Sequence, residues 1–220
     1  MKTLLAASIL AADMDFIKKD LELLENAGCD WVHIDIMDGK FVPNKAFGTE
    51  IVKELRLMTK MLLDVHIMGY HPHQYYKELA ESGAQLVTVH YEAAEDILAE
   101  IYKIHEYGMK AGVSIKPATS ADMLTRGEHL IVSQCDVVLI MSVEPGKGGQ
   151  SYISESTEKV RELKKFIDEN KLNVLIQIDG GINKDTAAIA VKAGVDVLVA
   201  GNALFKSADM NQTVKILKNA

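Results

Sequence analysis

The stretch Ala27-Gly28-Cys29-Asp30-Trp31-Val32-His33-Ile34-Asp35-Ile36-Met37-Asp38-Gly39 decides the fold. A helical pattern over Phe16–Asn26 leads into it, and the strand-length run Trp31–Met37 leaves it. Glycine accepts a positive φ without steric cost and is a usual C-terminal stop of a helix, so the segment reads as helix end, joint and strand. The joint recurs. Ser82-Gly83-Ala84-Gln85 and Ala193-Gly194-Val195-Asp196 each stand between a helical pattern and a strand, and Tyr107-Gly108-Met109-Lys110 is a looser copy. Four such joints predict a chain of repeated strand-helix units.

Working outward, eight runs of strand length can be marked: Leu4–Leu10, Trp31–Met37, Leu62–Met68, Leu86–Tyr91, Lys110–Ile115, Val137–Val143, Val174–Asp179 and Val195–Gly201. Helical periodicity fills the intervals, most clearly at Phe16–Asn26, His73–Ser82, Ile97–Tyr107, Glu155–Glu169 and Asp185–Lys192. Such alternation allows a closed (β/α)₈ TIM barrel or an open doubly wound sheet. The open sheet usually carries GxGxxG after its first strand, whereas here Ala11-Ala12-Asp13 follows. Eight units also match closure, so the α/β barrel is expected. No linker, low-complexity tract or charge block interrupts residues 1–220, which read as one domain.

Of the 220 residues, 48% are hydrophobic and 25% charged, the profile of a globular domain with a large core. Twenty-four Lys and Arg against 31 Asp and Glu leave a net charge of −7. Neither a nucleic-acid backbone nor an anionic membrane is an expected partner. No apolar run approaches the roughly 18 residues needed to cross a bilayer. Two cysteines, Cys29 and Cys135, make no disulfide framework and fit a reducing cytoplasm. Met1–Ala12 superficially copies a signal peptide, but its positive region is Lys2 alone, and cleavage would remove the first strand together with Ser8.

Barrels place their chemistry at the C-terminal strand ends. Those ends carry Ser8, then His33, Asp35 and Met37, then His66 and Met68, then Met141, and finally Asp179. Alternate residues of a strand share a face, so His33 and Asp35 both point inward. His33, Asp35, His66 and Asp179 form a His₂Asp₂ set suited to one divalent ion, Zn, Fe, Mn or Co, with positions left for a substrate. Any one of them alone would read as a buried cap for a neighbouring loop. Four on three strand ends are harder to treat so, because unpaired buried charge is costly. The other histidines, His71, His73, His90, His105 and His129, lack metal-like partners and read as solvent-facing or structural.

Two glycine-rich loops come late: Pro145-Gly146-Lys147-Gly148-Gly149-Gln150 after the sixth strand and Asp179-Gly180-Gly181 at the seventh, with Gly201-Asn202 at the eighth. Backbone N–H groups there can cradle a phosphate, although turns use glycine in any case.

With these pieces in place, the chain resembles the ribulose-phosphate 3-epimerase family over essentially its whole length. The matching segments are Ser8–Leu10 (SIL), His33–Asn44 (HIDIMDGKFVPN), Leu63–Met68 (LDVHIM), Met141–Ile153 (MSVEPGKGGQSYI), Ile178–Ile182 (IDGGI) and Val199–Phe205 (VAGNALF). The Asp-x-Lys-x-x-Asp signature of related decarboxylating barrels is missing. The resemblance implies a ribulose-phosphate-binding barrel that is a cytoplasmic homo-oligomer, dimer or hexamer, acting on a ketose phosphate. It implies His33, Asp35, His66 and Asp179 as metal ligands, Asp35 and Asp179 as the acid/base pair, and Ser8 and His66 against the sugar. Gly146, Lys147, Gly148, Gly149, Gly180, Gly181, Gly201 and Asn202 would surround the phosphate, and Met37, Met68 and Met141 would form a polarizable collar.

The implied chemistry interconverts D-ribulose 5-phosphate and D-xylulose 5-phosphate through an enediolate, as in the pentose phosphate pathway. Two carboxylates on opposite faces can remove and return the C3 proton, and a Lewis-acidic metal stabilises the developing charge. The sequence departs from the commonest family pattern at Ala11, Glu144, Lys147 and Asn202, none of which belongs to the metal set. A cousin acting on allulose 6-phosphate is the nearest alternative. A phosphate-barrel aldolase or decarboxylase would need an inward lysine, for which Lys116 is the candidate, and a sugar-phosphate sensor would need no acid/base pair.

Overall fold

The computed structural model describes residues 3–127 and 130–220. The expectation for His129, and the Met1-Lys2 start of the signal-like segment, lie outside them. Eight parallel strands, β1 (Leu4–Ser8), β2 (Trp31–Met37), β3 (Leu62–Met68), β4 (Leu86–His90), β5 (Lys110–Ile115), β6 (Val137–Met141), β7 (Leu175–Asp179) and β8 (Val197–Ala200), pair in sequence order. Pairing of β8 with β1 closes the barrel, which excludes the open sheet. The helices are α1 (Ile17–Ala27), α2 (Glu50–Arg56), α3 (Tyr76–Ser82), α4 (Ile97–Glu106), α5 (Ser156–Glu169), α6 (Lys184–Ala193), α7 (Asn202–Phe205) and α8 (Met210–Lys218). No described helix is long and apolar enough to cross a membrane.

Three departures from the sequence reading are local. The first, fourth, sixth and eighth strands stop at Ser8, His90, Met141 and Ala200, one to two residues before the apolar runs end, and Ile9–Ala11 and Tyr91–Ala93 turn into 3₁₀ helices. Helices α2, α7 and α8, of seven, four and nine residues, lie outside the stretches marked as periodic. Between β5 and β6 the described residues hold two 3₁₀ turns, Ala121–Leu124 and Ile131–Ser133, and no α-helix.

Strand parity divides the core. Val32, Ile34 and Ile36 of β2, and Val65 and Ile67 of β3, face outward into the layer that packs under the helices. Their alternates face the barrel axis. Toward the N-terminal end the axis is filled by Ala6, Trp31, Leu86, Val137 and Val197, and Val199 carries this cluster up to the cavity wall. Full burial of a Val or Leu stabilises by about 1.5–3 kcal/mol, so this apolar plug and the outer layer support a polar layer above, where His33, Asp35, Asp64, His66, Thr88, His90, Ser114 and Gln177 are all buried.

The repeated joints do more than stop helices. Gly28, Gly83 and Gly194 cap α1, α3 and α6 with φ of 90°, 92° and 116°, and a side chain two residues later then clasps the preceding strand. Asp30 Oδ2 accepts the Leu5 N–H at 2.9 Å while the Asp30 N–H donates to Leu5 O at 3.0 Å. Gln85 clasps Leu63 in the same two-point way at 2.8 and 3.1 Å. Asp136 clasps Ala111 at 2.9 and 2.8 Å, and Asp196 clasps Ile176 at 2.9 and 2.9 Å. The carbonyls of the same four residues accept from Leu62, Lys110, Leu175 and Leu4, the first residues of the next odd strands.

Candidate metal centre and active site

The strand register assembles the site. Ser8 pairs with His33, Asp35 with His66, Met37 with Met68, and Met141 with Asp179, so residues from β1, β2, β3, β6 and β7 share one level at the C-terminal end. One potential ligand atom from each of His33, Asp35, His66 and Asp179 lies within 4.8 Å of the others. The four side chains expected from the strand ends, His33, Asp35, His66 and Asp179, thus come together in the fold.

Each imidazole is held by its far nitrogen. His33 Nδ1 lies 2.7 Å from Asp64 Oδ2, an oxygen that also accepts Gln177 Nε2–H at 2.6 Å. When the ring is neutral and Nδ1 donates to Asp64, the lone pair is on Nε2, which is fully buried, has no hydrogen-bond partner among the described residues, and lies 3.3 Å from Asp35 Oδ1. His66 presents Nδ1 to Asp35 Oδ1 at 3.1 Å and turns Nε2 toward His90 Nε2 at 3.0 Å. Ser8 Oγ donates to Asp35 Oδ2 at 3.1 Å. An unpartnered buried imidazole nitrogen beside a second imidazole and two carboxylates fits a divalent metal, and which metal is a separate question.

The electrostatics separate the two carboxyls. Burial alone would raise Asp35, but His33 and His66 outweigh it and hold the carboxyl well below its ordinary range. Asp179 is pushed up, first by burial and then by the negative charge of Asp35. Burial would lower His33; the carboxylates of Asp64 and Asp35 reverse this and raise it. In the metal-free protein Asp35 is thus the standing anion and Asp179 the carboxyl that holds a proton more readily, a division typical of acid/base pairs.

Above the four residues opens a cavity of about 1280 Å³. Its wall includes Ser8, Asp35, Met37, Met68, Met141, Gly146, Lys147, Gly148, Gly149, Asp179, Gly180, Gly181, Gly201 and Asn202. His33 and His66 are completely buried beneath this floor. The late loops converge: a Cβ on Gly149 would stand 2.9 Å from Asn202 Nδ2, and one on Gly181 would stand 2.4 Å from Tyr152 N. Asn44 Nδ2 donates to Gly146 O at 2.8 Å, and Gln150 Nε2 donates to the carbonyls of Glu144 and Lys147 at 2.7 Å each, which shapes the glycine loop. Lys116, the candidate for a Schiff base, instead lies 3.8 Å over the centre of the Phe41 ring and lines an adjoining cavity of about 470 Å³ on the other side of the Gly146–Lys147 loop.

Sequence reasoning missed the supports. Asp64, Gln177, His90 and Glu92 touch the centre only through other side chains. Asp64 and His90 nonetheless sit at inward-facing parity on β3 and β4, two residues from His66 and Thr88 respectively, which is the signal that marks them.

A closed eight-stranded barrel with a largely buried His₂Asp₂ group that fits a divalent metal, under a glycine-rimmed cavity, is an enzyme scaffold of the (β/α)₈ class. The chain belongs to the ribulose-phosphate 3 epimerase family, whose model matches residues 4–205. It is 39% identical to the ribulose-phosphate 3-epimerase of Bacillus subtilis, covering 98% of both chains. It is 41% identical to that of Mycobacterium leprae, covering 99% of this chain and 95% of the relative, and 38% identical to that of Synechocystis, covering 98% and 93%. Among solved structures, the tryptophan synthase α-subunit of Pyrococcus furiosus superposes with a TM-score of 0.70 at 15% identity, covering 100% of this chain and 98% of that one, a likeness of fold alone.

Proposed function

We propose that this chain is a metal-dependent epimerase that interconverts D-ribulose 5-phosphate and D-xylulose 5-phosphate by inverting C3, a reaction of the pentose phosphate pathway. The observation that carries the reading is the pair Asp35 and Asp179, both on the wall of one cavity and both within the group that would hold the ion. Asp35, on the cavity wall, takes the C3 proton of D-ribulose 5-phosphate. Asp179 delivers a proton to the opposite face, and the two exchange roles in the reverse direction. A divalent ion held by His33, Asp35, His66 and Asp179 supplies Lewis acidity for the negative charge that develops on the sugar oxygens.

The rest of the cavity suits the same substrate. Ser8 orients Asp35 from the cavity floor, and Met37, Met68 and Met141 give an apolar collar that tolerates either C3 configuration. Gly146, Lys147, Gly148, Gly149, Gly180, Gly181, Gly201 and Asn202 line the side where the phosphate would lie. Two further parts of the proposal follow the family: a dimer or hexamer, read by light scattering, and a place in the cytoplasm, read by fractionation.

The test is incubation of the metal-loaded protein with D-ribulose 5-phosphate in D₂O. The expected result is D-xylulose 5-phosphate carrying deuterium at C3. Absence of both product and deuterium, with turnover of allulose 6-phosphate in the same preparation, would overturn the substrate assignment.

A further inference from the structure

His90 reads from sequence as a structural histidine, yet it is completely buried and its Nε2 stands 3.0 Å from Nε2 of His66. On its other side, His90 Nδ1 lies 3.1 Å from Glu92 Oε2. Glu92 is fixed in turn. Its Oε1 accepts the Lys116 backbone N–H at 2.7 Å and the Thr119 hydroxyl, while Lys159 Nζ gathers the carbonyls of Lys116, Pro117 and Thr119 at 3.1, 2.5 and 2.5 Å. A line of hydrogen bonds thus runs from the loop after β5, through Glu92 and His90, to His66.

We propose that His90, anchored by Glu92, is a positioning residue that dictates which ring nitrogen of His66 faces the metal. A carboxylate accepts and does not donate, so the ring proton of His90 belongs on Nδ1, where it donates to Glu92. His90 Nε2 is then left with only a lone pair. To hydrogen-bond it, His66 must carry a proton on Nε2, which leaves His66 Nδ1 free to ligate, the nitrogen that stands 3.1 Å from Asp35 Oδ1. The centre therefore has two such supports of opposite sense: Asp64 directs Nε2 of His33 inward, and the His90-Glu92 pair directs Nδ1 of His66 inward.

This inference rests on His66 serving as a ligand, and the experiment separates the two. Full-length protein stripped by a chelator is titrated with Co²⁺, followed by visible absorption, for the wild type, His90→Phe and Glu92→Gln. The tautomer of His90 is read from two-bond ¹H–¹⁵N correlations in ¹⁵N-histidine protein loaded with Zn²⁺. The expected result is a loss of Co²⁺ affinity of about 10–100-fold in His90→Phe, a smaller loss in Glu92→Gln, altered Co²⁺ bands in both, and a proton on Nδ1 of wild-type His90. A merely structural role would lower thermal stability of the metal-free protein and leave the affinity and the Co²⁺ bands unchanged. Wild-type affinity in a folded His90→Phe protein, or in Glu92→Gln should the first variant fail to fold, overturns the inference alone, as does a His90 proton on Nε2. Failure of the wild type to bind Co²⁺ overturns the metal reading and the inference together.

Discussion

His33 Nδ1 stands 2.7 Å from Asp64 Oδ2, and neither residue exposes any surface to solvent. The contact fixes the ring so that its free nitrogen enters the metal group. Replacing Asp64 by Asn keeps the volume but removes the charge that orients the imidazole and that raises its pKa. The expected outcome is a fall in divalent-metal affinity of about 10–100-fold, measured by competition with a chelating dye, with fold retained by circular dichroism. Unchanged affinity would mean that His33 is oriented by packing alone.

Asp35→Asn and Asp179→Asn should each lower epimerisation by at least about 10²-fold, the scale of a lost general acid or base. The two should fail differently. With D-ribulose 5-phosphate in D₂O, Asp179→Asn retains the carboxylate that takes the C3 proton, so slow exchange into recovered substrate is expected without xylulose 5-phosphate. Asp35→Asn should show neither. Mass spectrometry of the recovered sugar distinguishes them, and near wild-type turnover in either variant would sink the two-acid mechanism.

Glu92 makes a prediction about acid stability. Burial would raise its pKa, but hydrogen bonds from His90, Thr119 and the Lys116 N–H outweigh burial and hold it down at about 2, against an ordinary 4.5. A carboxyl with a lowered folded-state pKa stabilises above its unfolded value, and that contribution disappears as pH falls from about 4.5 toward 2. The wild type should therefore lose on the order of 2–3 kcal/mol more than Glu92→Gln across this window. Urea midpoints at pH 6, 4 and 3 measure it, and parallel curves for the two proteins would contradict it.

Asp30 lies at the opposite end of the barrel from the cavity. Its Oδ2 accepts the Leu5 N–H at 2.9 Å and the Lys218 ammonium at 2.6 Å. Asp30→Ala leaves a buried N–H without its partner, which should cost about 1–3 kcal/mol of stability. Turnover at 25 °C should be unchanged. Thermal melts and initial rates test the pair of statements, and a fall in kcat with intact fold would show that the two ends of the barrel are coupled.

The sequence was most legible where one physical rule acts alone. Period-two alternation in Trp31–Met37 places His33 and Asp35 on one face, and the register sets His66, read at its strand end, beside Asp35. It was less legible where several elements meet. His90 looked isolated because its partners are Glu92, two residues on, and His66, 24 residues back, the latter reached only once β3 and β4 pair. The Ser8 contact with Asp35 likewise needs β1 laid beside β2. Helix α8, with Val214 and Leu217 buried among its nine residues, lies outside the stretches marked as periodic.

The clasps of Asp30, Gln85, Asp136 and Asp196 carry one more implication. Each binds the odd strand before it and passes its carbonyl to the first residue of the next odd strand, so that Asp196 to Leu4 repeats what Asp30 does to Leu62. The meeting of β8 with β1 is thus bonded by the same rule as the other three boundaries. Under a four-fold rule of this kind the ring has no privileged stave.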